Sequence, residues 1–289
     1  MKKLVMQFLL LLFFWWRSGI LSQNIILKAR PSLSNNYKKI PVSNQNLSSF
    51  ARTFTPARVF APRKGTALST KDWLLLRADH AIARDAVFES IDLERDFRSE
   101  RIDQMGLFDV SSNASNRNEY LLQPELGRQL YPADRERIAK QCPFQPGLQI
   151  ILGDGLSAAA LQKQGPPLLD SLWDEARKLG WVLGRPFLVH QARVGILNEI
   201  GNLLEPEIAI LLIGERPGLT TADSLSAYLA YLPNLGHDDA SRNLISNIHS
   251  NGVGIKDASI RIMALAQSMR SAKTGGITIK ETLALGVRP

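Results

Sequence analysis

From Leu148 onward the chain alternates short unbroken apolar runs with stretches of helical periodicity. Leu148-Gln149-Ile150-Ile151-Leu152 reads as a buried strand, followed by the turn Gly153-Asp154-Gly155 and a helix through Leu161. Pro166-Pro167 marks a break, and Pro167 can open the next helix, to about Leu179, because its fixed φ suits a first helical turn. Pro186 to His190 reads as a second strand, and Ile196 to Leu204 as a helix. Ile208 to Ile213 is the clearest strand in the chain. Gly214 to Gly218 follows as a loop, with a helix start near Thr221 or Asp223. A further strand is predicted around Leu244 to Ile248. Asp257 to Ser271 closes the series as a helix with Ile260, Met263, Ala264 and Met269 inward. Continuous apolar strands between helices predict a mostly parallel sheet covered on both faces.

Upstream, Ser69 or Thr70 can cap a helix over Lys71 to Ile91, which carries Leu74, Leu75, Ala78, Ile82, Ala86 and Val87 at mixed helical spacing. A second helix is predicted over Pro132 to Gln141, and the segment between them is turn-rich. The chain therefore reads as an α/β protein. A Rossmann-like, mostly parallel sheet with flanking helices spans 146–289. A helical N-terminal region spans 61–145, preceded by a hydrophobic and basic extension over 1–60, read as a flexible, disordered arm.

Composition refines this picture. At 289 residues, 45% apolar and 21% charged, the chain can bury a substantial core. Its net charge of +8 comes from the extension, where residues 1–60 carry nine Lys or Arg and no acid. The rest is near neutral, which gives no electrostatic reason to seek nucleic acid. Leu4 to Trp16 is apolar except for Gln7, too short for a comfortable membrane span of about 20 residues. Three readings stay open on this pattern: an export signal, an organellar transit sequence, or residues upstream of the true start codon.

In parallel sheets, ligands bind beyond the carboxyl ends of the strands. Three candidate site loops follow: Gly153 to Gly155, His190 to Val194, and Gly214 to Gly218. Gly153-Asp154-Gly155-Leu156-Ser157-Ala158 lacks the third glycine of a dinucleotide turn, and Gln191 and Arg193 stand where its acid belongs. Walker and nucleophile-elbow motifs are missing, so Ser157 reads as a helix cap. The four histidines show no helical metal pairing, although His190 ends a strand. Cys142, the single cysteine, reads as a buried inert thiol. Glu215 ends the clearest strand. It can present acceptors to a ligand, pair with Arg216, or cap a following helix.

Five blocks, in order, resemble the small (light) chain of ethanolamine ammonia-lyase. They are Thr70 to Ala81 (TKDWLLLRADHA), Tyr120 to Leu130 (YLLQPELGRQL), Gly153 to Ala158, Gly214 to Leu219 (GERPGL) with Asp223 to Tyr228 (DSLSAY), and Arg242 to Ile248 (RNLISNI). The resemblance implies an adenosylcobalamin-dependent complex that converts ethanolamine to acetaldehyde and ammonia. In it the small chain packs against a barrel-shaped large subunit, helps enclose the cofactor, and has no turnover alone. The family's cobalamin contacts map to Val194, Glu215 and Leu244. The last stands where the family usually has cysteine, so a thiol contact is lost and a backbone or apolar one is kept. No protein histidine ligates cobalt in this family, which makes His80 structural. The family's setting implies a cytoplasmic protein, in some members inside a bacterial microcompartment. That ranks a misplaced start or unusual extension above secretion and gives no membrane role. The competing readings are an independent α/β enzyme acting on a nucleotide or small metabolite, and a purely structural partner.

Overall fold

A computed structural model describes residues 63–281, together with 49–51 and 53. The predicted arm otherwise lies outside the described residues. A short hairpin, β1 (Arg63–Lys64) with β2 (Ala67–Leu68), leads into α1 (Thr70–Phe88), α2 (Leu93–Asp96) and α3 (Ser99–Met105). Then come β3 (Phe108–Ser111), α4 (Arg117–Leu122) and α5 (Pro132–Gln141). The remaining elements are β4 (Leu148–Gly153), α6 (Ala158–Lys178), β5 (Phe187–His190), α7 (Ile196–Leu204), β6 (Ile208–Gly214), β7 (Leu225–Tyr231), β8 (Arg242–Ile248) and α8 (Ile255–Ala272).

One six-stranded sheet organises these elements in the order β3-β5-β4-β6-β7-β8. The first four strands are parallel, and β7 and β8 complete the sheet antiparallel. This is the mixed α/β, mostly parallel architecture that the apolar runs predict. Alternation along each strand feeds two cores. Ile150, Leu152, Ile210 and Leu212 face α6 and α8, whereas Ile151, Ala209 and Leu211 face α7 and Ile138 of α5. Both faces are covered, so β4 and β6 are buried throughout.

Four expectations need correction. Pro166-Pro167 does not break the chain; α6 runs through both prolines. An interior proline costs about 3 kcal/mol. Leu161, Leu168, Leu169 and Leu172 are buried on the same helix, each contributing about 1.5–3 kcal/mol, so the packed face wins. No helix starts at Thr221 or Asp223. Gly218 N instead donates to Thr221 O at 2.9 Å, and the chain turns into β7, which covers the edge of β6. The turn-rich segment contains β3, a four-residue strand too short to stand out in the sequence. Finally, α8 bears out only half of its predicted inward face: Met263 and Met269 are buried, whereas Ile260 and Ala264 are exposed, and Ala258, Ile262, Leu265 and Ala266 complete the buried stripe.

The caps follow local chemistry. Ser69 Oγ accepts from Asp72 N at 3.1 Å and starts α1. Ser157 Oγ accepts from Ala160 N at 3.1 Å and donates to Ala222 O at 2.7 Å, as its reading as a cap predicts. α1 keeps little of its apolar side inside: Ala86 is buried, while Leu74, Leu75 and Ile82 are exposed. Among the described residues, no helix is long and apolar enough to cross a membrane.

Candidate functional site

The three candidate loops gather at the carboxyl ends of β4, β5 and β6. Beside them the face of β7 and β8 that looks toward α7 is left partly open. A cleft of about 350 Å³ lies here, and Val194, Glu215 and Leu244 all line it, with Tyr120, Arg193 and Tyr228. Residues fifty positions apart in sequence thus share one concavity.

Glu215 is the first residue beyond β6. Its Oε1 accepts from Ser226 Oγ at 2.6 Å and from Asn247 N at 3.0 Å. Its own N–H donates to Ser224 O at 3.0 Å. Of its three readings, the cap lapses because no helix follows, and its carboxylate bonds to Ser226 and Asn247 rather than to Arg216. Its other oxygen, Oε2, takes no hydrogen bond among the described residues, which leaves an acceptor at the cleft wall. Asn247 sits at φ +62° beside an irregularity in the β7–β8 pairing, and that turn aims its N–H at Glu215.

Leu244 lies opposite Tyr228 across the β7–β8 ladder, and its side chain is 47% exposed. Together they make an apolar wall. The Tyr228 hydroxyl is held above its ordinary pKa, first by burial and then by the Glu215 charge. It therefore stays a neutral donor and acceptor at physiological pH.

Val194 is positioned by a clamp built from residues 112–128. Tyr120 is fully buried, and its hydroxyl donates to Ala192 O at 2.9 Å. Burial pushes that phenol up to about 12, so it keeps its proton. The guanidinium groups of Arg117 and Arg193 lie over the Tyr120 ring at 4.7 and 4.2 Å. Arg193 also donates to Tyr120 O at 3.0 Å, and its backbone N–H to Gly127 O at 2.7 Å. Gln191, at φ +57°, donates its N–H to Asp154 Oδ1 at 2.8 Å and accepts from Ser112 Oγ at 3.0 Å. Burial raises the Asp154 carboxyl, and Arg117 at 3.4 Å pulls against that rise. Every residue from Gln191 to Arg193 is therefore tied down just before Val194.

Sequence reasoning missed Tyr120, Arg193 and Tyr228 as cleft residues. Each lies inside a segment already singled out, but nothing local shows that the strap around Tyr120 crosses under the β5–α7 loop. His190 does not line the cleft; its Nε2 is 3.1 Å from Asp109 Oδ2. Cys142 is buried, and burial pushes its thiol up to about 12, in keeping with an inert role.

The fold and site define a mostly parallel α/β protein with a strand-end cleft, apolar on one wall and carrying a few fixed polar groups. Residues 45–280 match the family described as ethanolamine ammonia-lyase light chain. The chain is 34% identical over 248 residues to the ethanolamine ammonia-lyase small subunit of Clostridium acetobutylicum, covering 86% of this chain and 100% of that protein. It is 37% identical over 236 residues to the small subunit from Pseudomonas aeruginosa strain PAO1, covering 80% and 85%. The Azotobacter vinelandii small subunit is 38% identical over 236 residues, covering 80% and 86%. The chain belongs to the ethanolamine ammonia-lyase small-subunit family, the family of a lyase.

Proposed function

We propose that this chain is the small subunit of an adenosylcobalamin-dependent ethanolamine ammonia-lyase. It supplies one wall of the cofactor site, while a large subunit completes the enclosure and converts ethanolamine to acetaldehyde and ammonia. The observation that carries this reading is the meeting of Val194, Glu215 and Leu244 around one open cleft. Their chemistry suits a corrin, whose ring is largely apolar and whose rim is fringed with amides. Leu244 and Val194 offer apolar contact, and Glu215 Oε2 offers an unengaged acceptor for an amide N–H. The clamp on Gln191 to Arg193 keeps the wall from reorganising when a large ligand binds, which lowers the entropic cost of association.

Adenosylcobalamin, when held by Val194, Glu215 and Leu244, would supply the radical chemistry of the reaction. The residues of this chain bind, orient and exclude water. The complex belongs in the cytoplasm on this reading, with some members of such systems held in a microcompartment.

The test is co-expression of the full chain with a large subunit. Acetaldehyde production dependent on adenosylcobalamin is expected, with none from either chain alone. In that complex Glu215→Ala should weaken cofactor binding several-fold while circular dichroism stays unchanged. A complex without turnover, or a Glu215→Ala complex with unaltered cofactor affinity, overturns the reading.

A further inference from the structure

Helix α1 turns its apolar side outward. Leu74, Leu75, Ala78, Ala81, Ile82 and Phe88 recur at intervals of three, four and seven, so they share one side of the helix. All six are exposed, and the four largest leave about half of their surface open. The side turned to the body, against α6, carries Asp72, Leu76, Asp79, Ala83 and Ala86, two carboxylates among them. A surface helix normally does the reverse, because burying its apolar area is what anchors it. The block Thr70 to Ala81 opens this stripe and takes no part in the cleft.

A basic row runs along one edge of the stripe. Trp73, Arg77, His80 and Arg84 follow at helical spacing, and all are exposed. The Arg77 guanidinium lies 4.9 Å over the Trp73 ring, and that of Arg84 lies 6.0 Å over Phe88. Neither arginine forms an ion pair among the described residues. The stripe exposes on the order of 400 Å² along about 28 Å of helix, the size of patch that a chain keeps for contact.

Position indicates what covers it. Val87 O accepts from Arg117 Nε at 2.5 Å, Arg117 lies 4.7 Å over the Tyr120 ring, and Tyr120 lines the cleft. The carboxyl end of α1 is thus two contacts from the cleft wall, and a subunit that closes the cleft reaches it. The cleft rim alone is a small anchor. A stable interface covers about 800 Å² on each partner, and the stripe supplies about half of that. Two other occupants fit less well. A second copy pairing antiparallel about a two-fold axis would set the basic row against itself. A bilayer needs the opposite side of the helix in water, and here that side is packed on the protein. Asp85, exposed within the stripe, is also costly in lipid.

We propose that this stripe is the seat of the large subunit, which covers it with an apolar face that sets carboxylates opposite Arg77 and Arg84 and a donor opposite Asp85. The proposal deepens the functional reading above and rests on it for the identity of the partner.

The experiment titrates the full chain against the large subunit and measures the association constant. Leu74→Glu/Ile82→Glu places two charges in the stripe and keeps good helix formers there. It should weaken association at least tenfold, leave the melting temperature of the free chain unchanged, and reach wild-type turnover once enough chain is added to saturate the large subunit. Ile260→Glu, at an equally exposed apolar position of α8, is the matched control and should change association less than twofold. Arg84→Glu should weaken association about fivefold at low salt, and Arg84→Lys less than twofold.

Wild-type association by the double variant, or an equal loss in Ile260→Glu, overturns the proposal. A lowered melting temperature of the free double variant overturns it too, since the chain's own residues then cover the stripe. Self-association of the wild-type chain that the double variant abolishes assigns the stripe to a second copy. Stripe-dependent binding to phosphatidylglycerol vesicles assigns it to a bilayer, and either result overturns the proposal. Tighter association of Arg84→Glu overturns the acidic edge. The functional reading fails separately. Wild-type chains that associate without adenosylcobalamin-dependent acetaldehyde formation refute that reading, while the association constants still decide the docking surface. Wild-type chains that do not associate refute both.

Discussion

Gly127→Ala is the sharpest probe of the clamp that holds Val194. A Cβ at this position would lie 2.7 Å from Arg193 Cγ, 2.8 Å from Gln191 O and 3.0 Å from Tyr120 Cε2. Comfortable carbon contacts lie near 3.5–4.0 Å. The neighbours have little room to yield. Gln191 O is backbone and accepts from Ser112 Oγ, while the Arg193 guanidinium is stacked on Tyr120 and bonded to its carbonyl. Gly127 itself cannot retreat without stretching its 2.7 Å bond from Arg193 N.

Overpacking of this kind costs about 1–3 kcal/mol, and one weakened hydrogen bond adds about 1 kcal/mol. Alanine's lower backbone entropy returns at most about 1 kcal/mol. The net loss is about 1–3 kcal/mol, or roughly 2–12 °C in Tm for a domain of this size. Gly254→Ala is the control. Nothing lies within 4 Å of its added Cβ, and its φ of −67° suits any residue, so a change within about 0.5 kcal/mol is expected. Thermal melting of both variants in the complex, with adenosylcobalamin titration of each, makes the comparison. A Gly127→Ala protein that melts with the control would refute the steric argument. One that loses stability but keeps full cofactor affinity would show that the clamp does not govern Val194.

Two further outcomes follow from the perturbed titrations. With its thiol pushed up to about 12 by burial, Cys142 should resist a thiol reagent at pH 8 in the native protein and take up one equivalent in denaturant; prompt native labelling would contradict its burial. Hydrogen bonding to Arg261, 2.5 Å from Nε to Oε1, lowers the Glu281 carboxyl against an opposing effect of burial. Its folded pKa therefore lies below its unfolded one, so its stabilisation is present above the unfolded value and is lost as pH falls through the folded value. Glu281→Gln should cost about 0.5–1 kcal/mol at pH 7, and the difference should shrink as pH falls below the ordinary glutamate range and through the folded value, by urea unfolding. A pH-independent difference would exclude the ion pair as its source.

The strands β4 and β6, the helices α5 and α7, and the parallel core were legible in the sequence, because a strand buried on both faces is apolar almost throughout, with Gln149 the polar exception in β4. Hydroxyl caps were legible for a similar reason: Ser69 and Ser157 satisfy N–H groups three residues away, within reach of local pattern. The loops at the strand ends were located by the general habit of parallel sheets. The same reading put Glu215 and the loop ending at Val194 among the candidates, whereas Leu244, inside β8, and the assignment of all three to one ligand came from family resemblance.

What tertiary structure decided has a common cause: competition between a local preference and distant packing. Pro166-Pro167 signals a break, and the buried leucines of α6 override it. Thr221 and Asp223 resemble caps, but β6 needs a neighbour, and Leu225 to Tyr231 provides it. Tyr120 carries no local mark of its role, since its partners Arg193 and Ala192 lie more than seventy residues downstream. The cleft exists because β7 and β8 extend the sheet beyond the cover of α7, and no segment read alone shows how far a neighbouring helix will reach.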